Sequence, residues 1–405
     1  MPHERRRDAI DNVRRMLKYS PLVGILGHRQ VGKTTLLSRL VKRYVTFDDA
    51  AERAAAAADA AAYLRRQASA GCVGLDECQF VPALFPALKE WVRSHPRPGQ
   101  FLLSGSVRFT SRHAIRESLT GRLVTQELLP FTIGEMAQEP LAGGLLRVIG
   151  RSSLDQIGTQ WVMPRALWQR RTRDIALFIE RGGLPGICMM RNAVMRQTKI
   201  GAQLQTLLDR DLRLIVPTSL SYQTVYDVAA YVATHVGQPI NWSDMQRAVH
   251  VTPPTLKKLL YALEAIFIVR TVPIEGSSSG QVYYFEDVAE WQSLCGGHVP
   301  QPWLLAQLIF HHARVQWIYQ LERTAAFFQY RTRGGALVPV CIRSPEGVVG
   351  LLPIAAAEPN RSEVAIAASF LKTYAQGKLL YLTEATAVPR GSSRTAILPL
   401  AAITF

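Results

Sequence analysis

The stretch Gly27-His28-Arg29-Gln30-Val31-Gly32-Lys33-Thr34-Thr35 sets two glycines five positions apart and follows the second with lysine and two threonines. Glycines at that spacing let a loop turn its backbone N–H groups inward, where they cradle anionic oxygens. A helix starting just after the second glycine adds the positive end of its dipole. Lys33 supplies a cation for the β- and γ-phosphates, and the Thr34 hydroxyl can ligate Mg²⁺. The chemistry this spacing points to is the holding of nucleotide phosphates.

A second cluster supports that reading. Residues 71–80, GCVGLDECQF, end a small apolar run in Asp76-Glu77. A carboxylate at such a strand end can hold Mg²⁺, and a neighbouring glutamate can orient or deprotonate an attacking water. The run QFLLSGS (100–106) is a third buried strand, with Ser104 and Ser106 as candidates to sense a γ-phosphate. Arg122, in ESLTGRL, could stabilise transition-state charge from its own or a neighbouring subunit, with Arg112 and Arg116 as competitors for the role.

Those groups need a scaffold. PLVGIL (21–26) reads as a buried strand and TLLSRLVKRY as a helix, which is the strand–loop–helix context a phosphate loop requires. The start of residues 44–67 reads as a strand ending at Asp48-Asp49, and its alanines as a helix. Strands and helices alternate from 21 to 128, which predicts a parallel sheet covered on both faces.

With these motifs in order, the chain resembles the bacterial and archaeal AAA+-like P-loop ATPases that join an ATPase core to a C-terminal restriction-endonuclease-like domain of the PD-(D/E)xK type. GHRQVGKTTLL, LDECQ, FLLSGS, ESLTGRL, LLPF (128–131) and RGGLP (181–185) carry the resemblance, over residues 20–135 and on to about 290. It implies ATP binding and hydrolysis with Mg²⁺, a helical lid after the core, and oligomerisation. His28 stands where that family has proline, Cys78 where it has an aliphatic residue, and Ser104 where it has threonine.

Residues 136–215 read as helical. Their cluster Arg165, Arg170, Arg171 and Arg173 reads first as a solvated helix face, with phosphate contact as the alternative. Residues 222–272 read as three helices, and VRTVPIEGSSSGQVYYFED as a hairpin, the order of a winged helix-turn-helix. Thr252 is placed to cap the third helix, and Thr255, Lys257 and Lys258 are the candidate DNA contacts at its exposed start. A protein-contact role for the same module stays open. In the tail, a nuclease needs an acid on one strand and acid-x-Lys on the next. At those positions stand Pro339, Ala355 and Ala357, and Glu346, Glu358 and Glu363 form no such arrangement, so a nuclease-like fold without nuclease activity is expected. Proline at 339 also predicts an edge or distorted strand.

Composition sets the outer bounds. Hydrophobic residues make up 48% of the 405 and charged residues 19%, which fits a folded chain rather than a disordered one. No apolar run approaches a membrane span, and the charged start is not a secretory signal, so a cytoplasmic location is expected. The five cysteines are scattered without zinc-site spacing and are expected to be reduced thiols. The net charge is +16, and residues 1–150 carry 22 Lys and Arg against 14 Asp and Glu. Residues 275–405 carry 10 against 9, so the excess lies toward the N-terminal side. That distribution fits a polyanion partner such as double-stranded DNA, or else an arginine-rich genome. The expected architecture is an α/β P-loop NTPase core (1–135), a helical lid (136–215), a winged helix (216–285) and a degenerate nuclease-like α/β domain (286–405). The expected function is an ATPase whose cycle drives a conformational change coupled to DNA or a partner protein, with a homo-oligomer as a candidate assembly. The alternative is a slow nucleotide-gated regulatory module.

Overall fold

Five short strands between residues 22 and 127 pair side by side and all run the same way. They are β1 (Leu22–Leu26), β2 (Arg43–Thr46), β3 (Val73–Asp76), β4 (Phe101–Gly105) and β5 (Leu123–Glu127), in the order β2-β3-β4-β1-β5. In this computed structural model, residues 5–68, 71–108, 121–139, 145, 153–155, 157, 165–276, 280–297, 299, 301–320, 325–385 and 389–404 are described. The central strands β1, β3 and β4 are buried along their whole length, whereas the outer β2 and β5 are partly exposed. That is the burial a parallel sheet acquires when helices cover both faces. The helix Leu84–Ser94 shows how: Leu84, Phe85, Leu88 and Val92 recur on one face and are buried. The alanine-rich stretch forms two helices, Ala50–Ala58 and Ala60–Gln67, rather than one. Asp59 breaks it, because its backbone is extended and its carboxylate accepts from Ala62 N at 2.9 Å.

A second sheet is mixed and has eight strands. β6 (Val269–Gly276) and β7 (Gln281–Phe285) form an antiparallel hairpin that follows three helices, Tyr222–Thr234, Trp242–Val249 and Pro253–Ala265. The hairpin tip, residues 277–279, lies outside the described residues. β6 also pairs in parallel with β8 (Ala326–Arg331), so the hairpin continues into β9 (Leu337–Ser344), β10 (Gly347–Ile354), β11 (Lys378–Thr383), β13 (Thr395–Pro399) and the short β12 (Arg390–Gly391). The boundary expected at 285/286 therefore falls within one sheet. β9 is a central strand, not an edge, and the register slips opposite Pro339, between Phe328 and Tyr330. The proline is accommodated by the local distortion, as a residue without a donor must be inside a sheet.

The helix Gln301–Gln320 runs between the two sheets and is buried along most of its length. Its Tyr319 hydroxyl accepts from Leu129 N at 2.8 Å, and Val315 and Tyr319 share an apolar core with Val23, Ile25 and Leu102 of the N-terminal sheet. Arg314 bonds Glu286 at 2.8 Å and Glu127, the last residue of β5, at 2.9 Å; Arg270 contacts the same two carboxylates. Burial pushes the Glu127 carboxyl up, but the charges of Arg270 and Arg314 outweigh it and hold the group down at about 2. Among the described residues no helix is long and apolar enough to cross a membrane, and all five cysteines are free.

Candidate nucleotide site

The loop between β1 and the helix Lys33–Leu40 owes its shape to its two glycines. A Cβ at Gly27 would lie 2.2 Å from the Leu128 carbonyl oxygen, so backbone packs where a side chain would be. Gly32 has φ +97° at the helix N-cap, a conformation that glycine adopts freely. No side chain caps that helix, so its first N–H groups remain available to a ligand in the loop. Lys33 is buried, and its Nζ donates to Gly27 O at 3.1 Å and His28 O at 3.0 Å. Burial lowers the ammonium's pKa, and the nearby Glu77 and Asp76 only partly oppose the shift.

The parallel register brings the end of β3 beside this loop. The Thr34 hydroxyl donates to Asp76 Oδ2 at 2.7 Å. Tyr44, on the neighbouring β2, donates to the same oxygen at 2.8 Å, and Ser104 donates to Asp76 Oδ1. Glu77 follows in the left-handed region with φ +56°. Its carboxylate accepts from Ser106 Oγ at 3.0 Å and from Gln79, while its N–H donates to Ser104 Oγ at 3.3 Å. Burial works to raise the Glu77 carboxyl, but Lys33 and the bonds from Gln79 and Ser106 hold it below its usual value. The structure thus brings together Lys33, Thr34, Asp76, Glu77, Ser104 and Ser106. Tyr44 and Gln79 join them without having been singled out by sequence. Gln79 lies in the LDECQ motif, whereas Tyr44 could be found only by pairing β2 with β3.

A cleft of about 610 Å³ opens over Gln30, Gly32, Lys33, Thr34, Thr35 and Glu77. Its other walls are the N-terminal Arg5, Arg6 and Arg7, the apolar Ile10, Leu36 and Phe131, and Pro185-Gly186. Arg7 is fixed there by Glu135 at 3.1 Å, by the Val31 carbonyl at 2.7 Å and by the Phe131 ring at 4.7 Å. The three loop positions His28, Arg29 and Gln30 touch Glu290, Asp211 and Gly186, and Val31 is buried in the core.

Other expected residues lie elsewhere. Arg122 immediately precedes β5, whose first residue pairs with Leu22, the first residue of β1. It therefore lies at the amino-terminal end of the parallel strands, whereas the phosphate loop leaves β1 at the carboxyl end, four residue steps or about 13 Å of strand away. Arg112 and Arg116 lie outside the described residues, as does the side chain of Arg165. Arg170 and Arg171 pair with Glu139. Lys257 and Lys258 are exposed near the start of their helix, with Lys257 Nζ 5.6 Å from the centre of the Trp242 ring. Thr252 occupies the N-cap position, but its hydroxyl pairs with Thr255 at 3.1 Å rather than capping the backbone. In the second sheet Pro339 is buried, and Ala355 and Ala357 lie just past β10. Glu358 pairs with Arg390, Glu363 caps a helix with Asn360, and among the described residues no group of three or more His, Cys, Asp or Glu is arranged to hold a metal ion.

Residues 19–137 match the family described as the AAA domain, and residues 172–277 match a domain of unknown function, DUF8612. Two mycobacterial proteins, Mb2031c of Mycobacterium bovis and Rv2008c of Mycobacterium tuberculosis, both described as uncharacterized, are each 30% identical over 268 residues. The aligned part is 65% of this chain and 52% of each relative, so the chain spans about half the length of the curated relatives it matches. Two variant forms of RuvB from Thermotoga maritima are similar over 72% of this chain and 92% of theirs, at 16% identity and TM-scores of 0.27 and 0.30, a likeness too slight to argue from. Both family matches end by residue 277 and lend no support to the nuclease-like reading of 286–405. The cluster around Lys33, Asp76 and Glu77 lies inside residues 19–137, the stretch that matches the AAA domain.

Proposed function

We propose that this chain binds and hydrolyses ATP and uses the cycle to change its shape against DNA or a partner protein. The observation that carries the proposal is the meeting of Lys33, Thr34, Asp76 and Glu77 at one end of the parallel sheet. Lys33 would hold the β- and γ-phosphates, with the N–H groups of the 27–35 loop around them. Thr34 and Asp76 would hold Mg²⁺, and a hydroxyl and a carboxylate already 2.7 Å apart are the hard oxygen donors that ion takes. A site with one carboxylate fits Mg²⁺ bound largely through nucleotide phosphates and water. When bound, the ion supplies charge neutralisation on the phosphates. Glu77, kept ionised by Lys33, Gln79 and Ser106, would orient the attacking water and take its proton. Ser104 and Ser106 would report the γ-phosphate through their bonds to Asp76 and Glu77. Arg122 would act on a neighbouring subunit's nucleotide in a homo-oligomer.

A route for the shape change follows β4. Two residues after Ser106, Arg108 N donates to Ala265 O at 2.9 Å and its guanidinium lies 5.0 Å from the Phe267 ring centre. Phe267 is packed in the apolar core of the N-terminal sheet and has φ +61°. The end of the helix Pro253–Ala265 is thus tied to the strand that carries the serines. The other end of that helix carries Thr255, Lys257 and Lys258, which in a winged-helix reading would meet double-stranded DNA. The test is ATP turnover with and without double- and single-stranded DNA, with the oligomeric state recorded in each. DNA-stimulated turnover supports the motor. Slow turnover indifferent to DNA supports a nucleotide-gated regulator, and no ATP binding at all refutes both.

A further inference from the structure

The phosphate loop is held from outside by residues far along the chain. His28 Nε2 lies 2.9 Å from Glu290 Oε2, with both side chains no more than 1% exposed. The imidazole's other nitrogen, Nδ1, lies 2.7 Å from Arg29 O. Burial pushes the imidazole toward its neutral form, but the charge of Glu290 outweighs that and raises its pKa. The next loop residue, Arg29, reaches Asp211 at 3.2 Å. Gln30 packs where a Cβ on Gly186 would be only 2.9 Å from its Oε1. Three consecutive side chains of the loop therefore face one region, 183–290. Asp211 ends a π-helical turn, Leu207–Asp211, a feature frequent at functional sites.

The anchor is itself fixed. Glu290 Oε1 accepts from Gln203 Nε2 at 2.7 Å, and Glu290 N donates to Asp287 Oδ1 at 3.2 Å. Asp287 caps the helix Val288–Leu294 and also accepts from Gly183 N at 2.7 Å. Gly183 O in turn accepts from Phe131 N at 2.7 Å, and Phe131 is a wall of the nucleotide cleft. The chain of contacts starts at the loop and returns to the cleft. Removing one partner of so buried a pair leaves the other charge uncompensated, so the two ends are coupled more strongly than a surface pair would couple them.

We propose that Glu290 is a positioning residue for nucleotide binding that acts through His28, so that the shape of the phosphate loop and the packing of region 183–290 form one equilibrium. The carbonyl of His28 also holds Lys33, so a loop that loses its outer anchor misplaces both the lysine and the inward N–H groups. The inference rests on the reading of this loop as an ATP site. By linkage, nucleotide binding must also stabilise the helix Val288–Leu294.

Two measurements test it. Mg-ATP affinity, KM and kcat are compared for wild type, Glu290→Gln, His28→Gln and the double variant. Each single change is expected to weaken binding and raise KM at least fivefold, with kcat at saturation within twofold, and the double variant is expected to lose less than the product of the two. Single variants that bind within twofold of wild type, or losses that simply multiply, overturn the proposal. Should the variants not fold, amide exchange in the wild type decides: a non-hydrolysable ATP analogue should slow exchange across 288–294 at least tenfold, and unchanged exchange overturns the proposal. A wild type that binds ATP yet fails these tests refutes the anchor alone, whereas one that binds no ATP refutes the ATP site and the anchor with it.

Discussion

The two sheets of this molecule treat their strand ends in opposite ways. At the carboxyl ends of β1, β3 and β4, Lys33, Thr34, Asp76, Glu77, Ser104 and Ser106 converge in one bonded cluster. In the second sheet, β9 and the end of β10 present Pro339, Ala355 and Ala357, and the polar groups around them serve the fold. Tyr284 donates to Pro339 O at 3.0 Å, and Gln329 donates to Gly237 O at 2.9 Å. Both sheets have apolar interiors, so a sheet alone does not make a site. Chemistry needs charged groups gathered beside a cleft, and among the described residues Lys33 and Glu77 line one at the end of the first sheet. The buried charges Arg270 and Glu286 of the second sheet instead pair with one another and with Glu127 and Arg314.

That contrast can be broken experimentally. The largest expected effect is at Lys33: Lys33→Ala should weaken ATP binding by about 100-fold or more, because backbone N–H groups cannot replace a buried cation on the phosphates. Calorimetric titration with Mg-ATP measures it. A large effect on folding is expected where the sheets meet. Glu127→Gln leaves Arg270 and Arg314 with one carboxylate fewer and should cost about 3 kcal/mol of stability. The Glu127 carboxyl is held down at about 2, so its contribution is fully present above the unfolded carboxylate range and fades as pH falls from about 5 toward 2. Denaturant melts across that window should show wild type losing stability more steeply than the variant. A smaller effect is expected at the helix Pro253–Ala265. Lys257→Glu with Lys258→Glu should lower the salt slope of DNA binding by about two, one for each phosphate that a lysine no longer neutralises. The smallest expected effect is zero: with Mg²⁺ or Mn²⁺, the protein should leave supercoiled, linear and single-stranded DNA uncut. Cleavage that survives Lys33→Ala would place acids in the second sheet that the 335–360 hairpin lacks.

What could be read in the sequence follows from how local each feature is. The phosphate loop and Asp76-Glu77 were legible, because each lies within a few residues and follows an apolar strand. The serines of β4 were legible for the same reason. The position of Arg122 was not, because it depends on the β1–β5 register. Nor was the bond from Tyr44 to Asp76, which needs β2 beside β3. The helix Gln301–Gln320 mixes apolar residues with His, Gln and Arg on all sides, so it has no amphipathic face to announce a central place. Several of its polar side chains meet partners far along the chain, such as Ile133 N on His312, which no local pattern reveals. The His28–Glu290 pair is hidden in the same way, although His28 in place of proline was a visible sign that the loop differs.

The most direct test of the central claim is ATP binding and turnover measured together on wild type and Glu77→Gln. An amide in place of the carboxylate keeps the shape and the bond from Ser106 but cannot take a proton. Wild type should hydrolyse ATP, and Glu77→Gln should bind it within a few-fold of wild type while turning over about 100-fold more slowly. A Glu77→Gln protein that hydrolyses ATP at the wild-type rate would contradict the account.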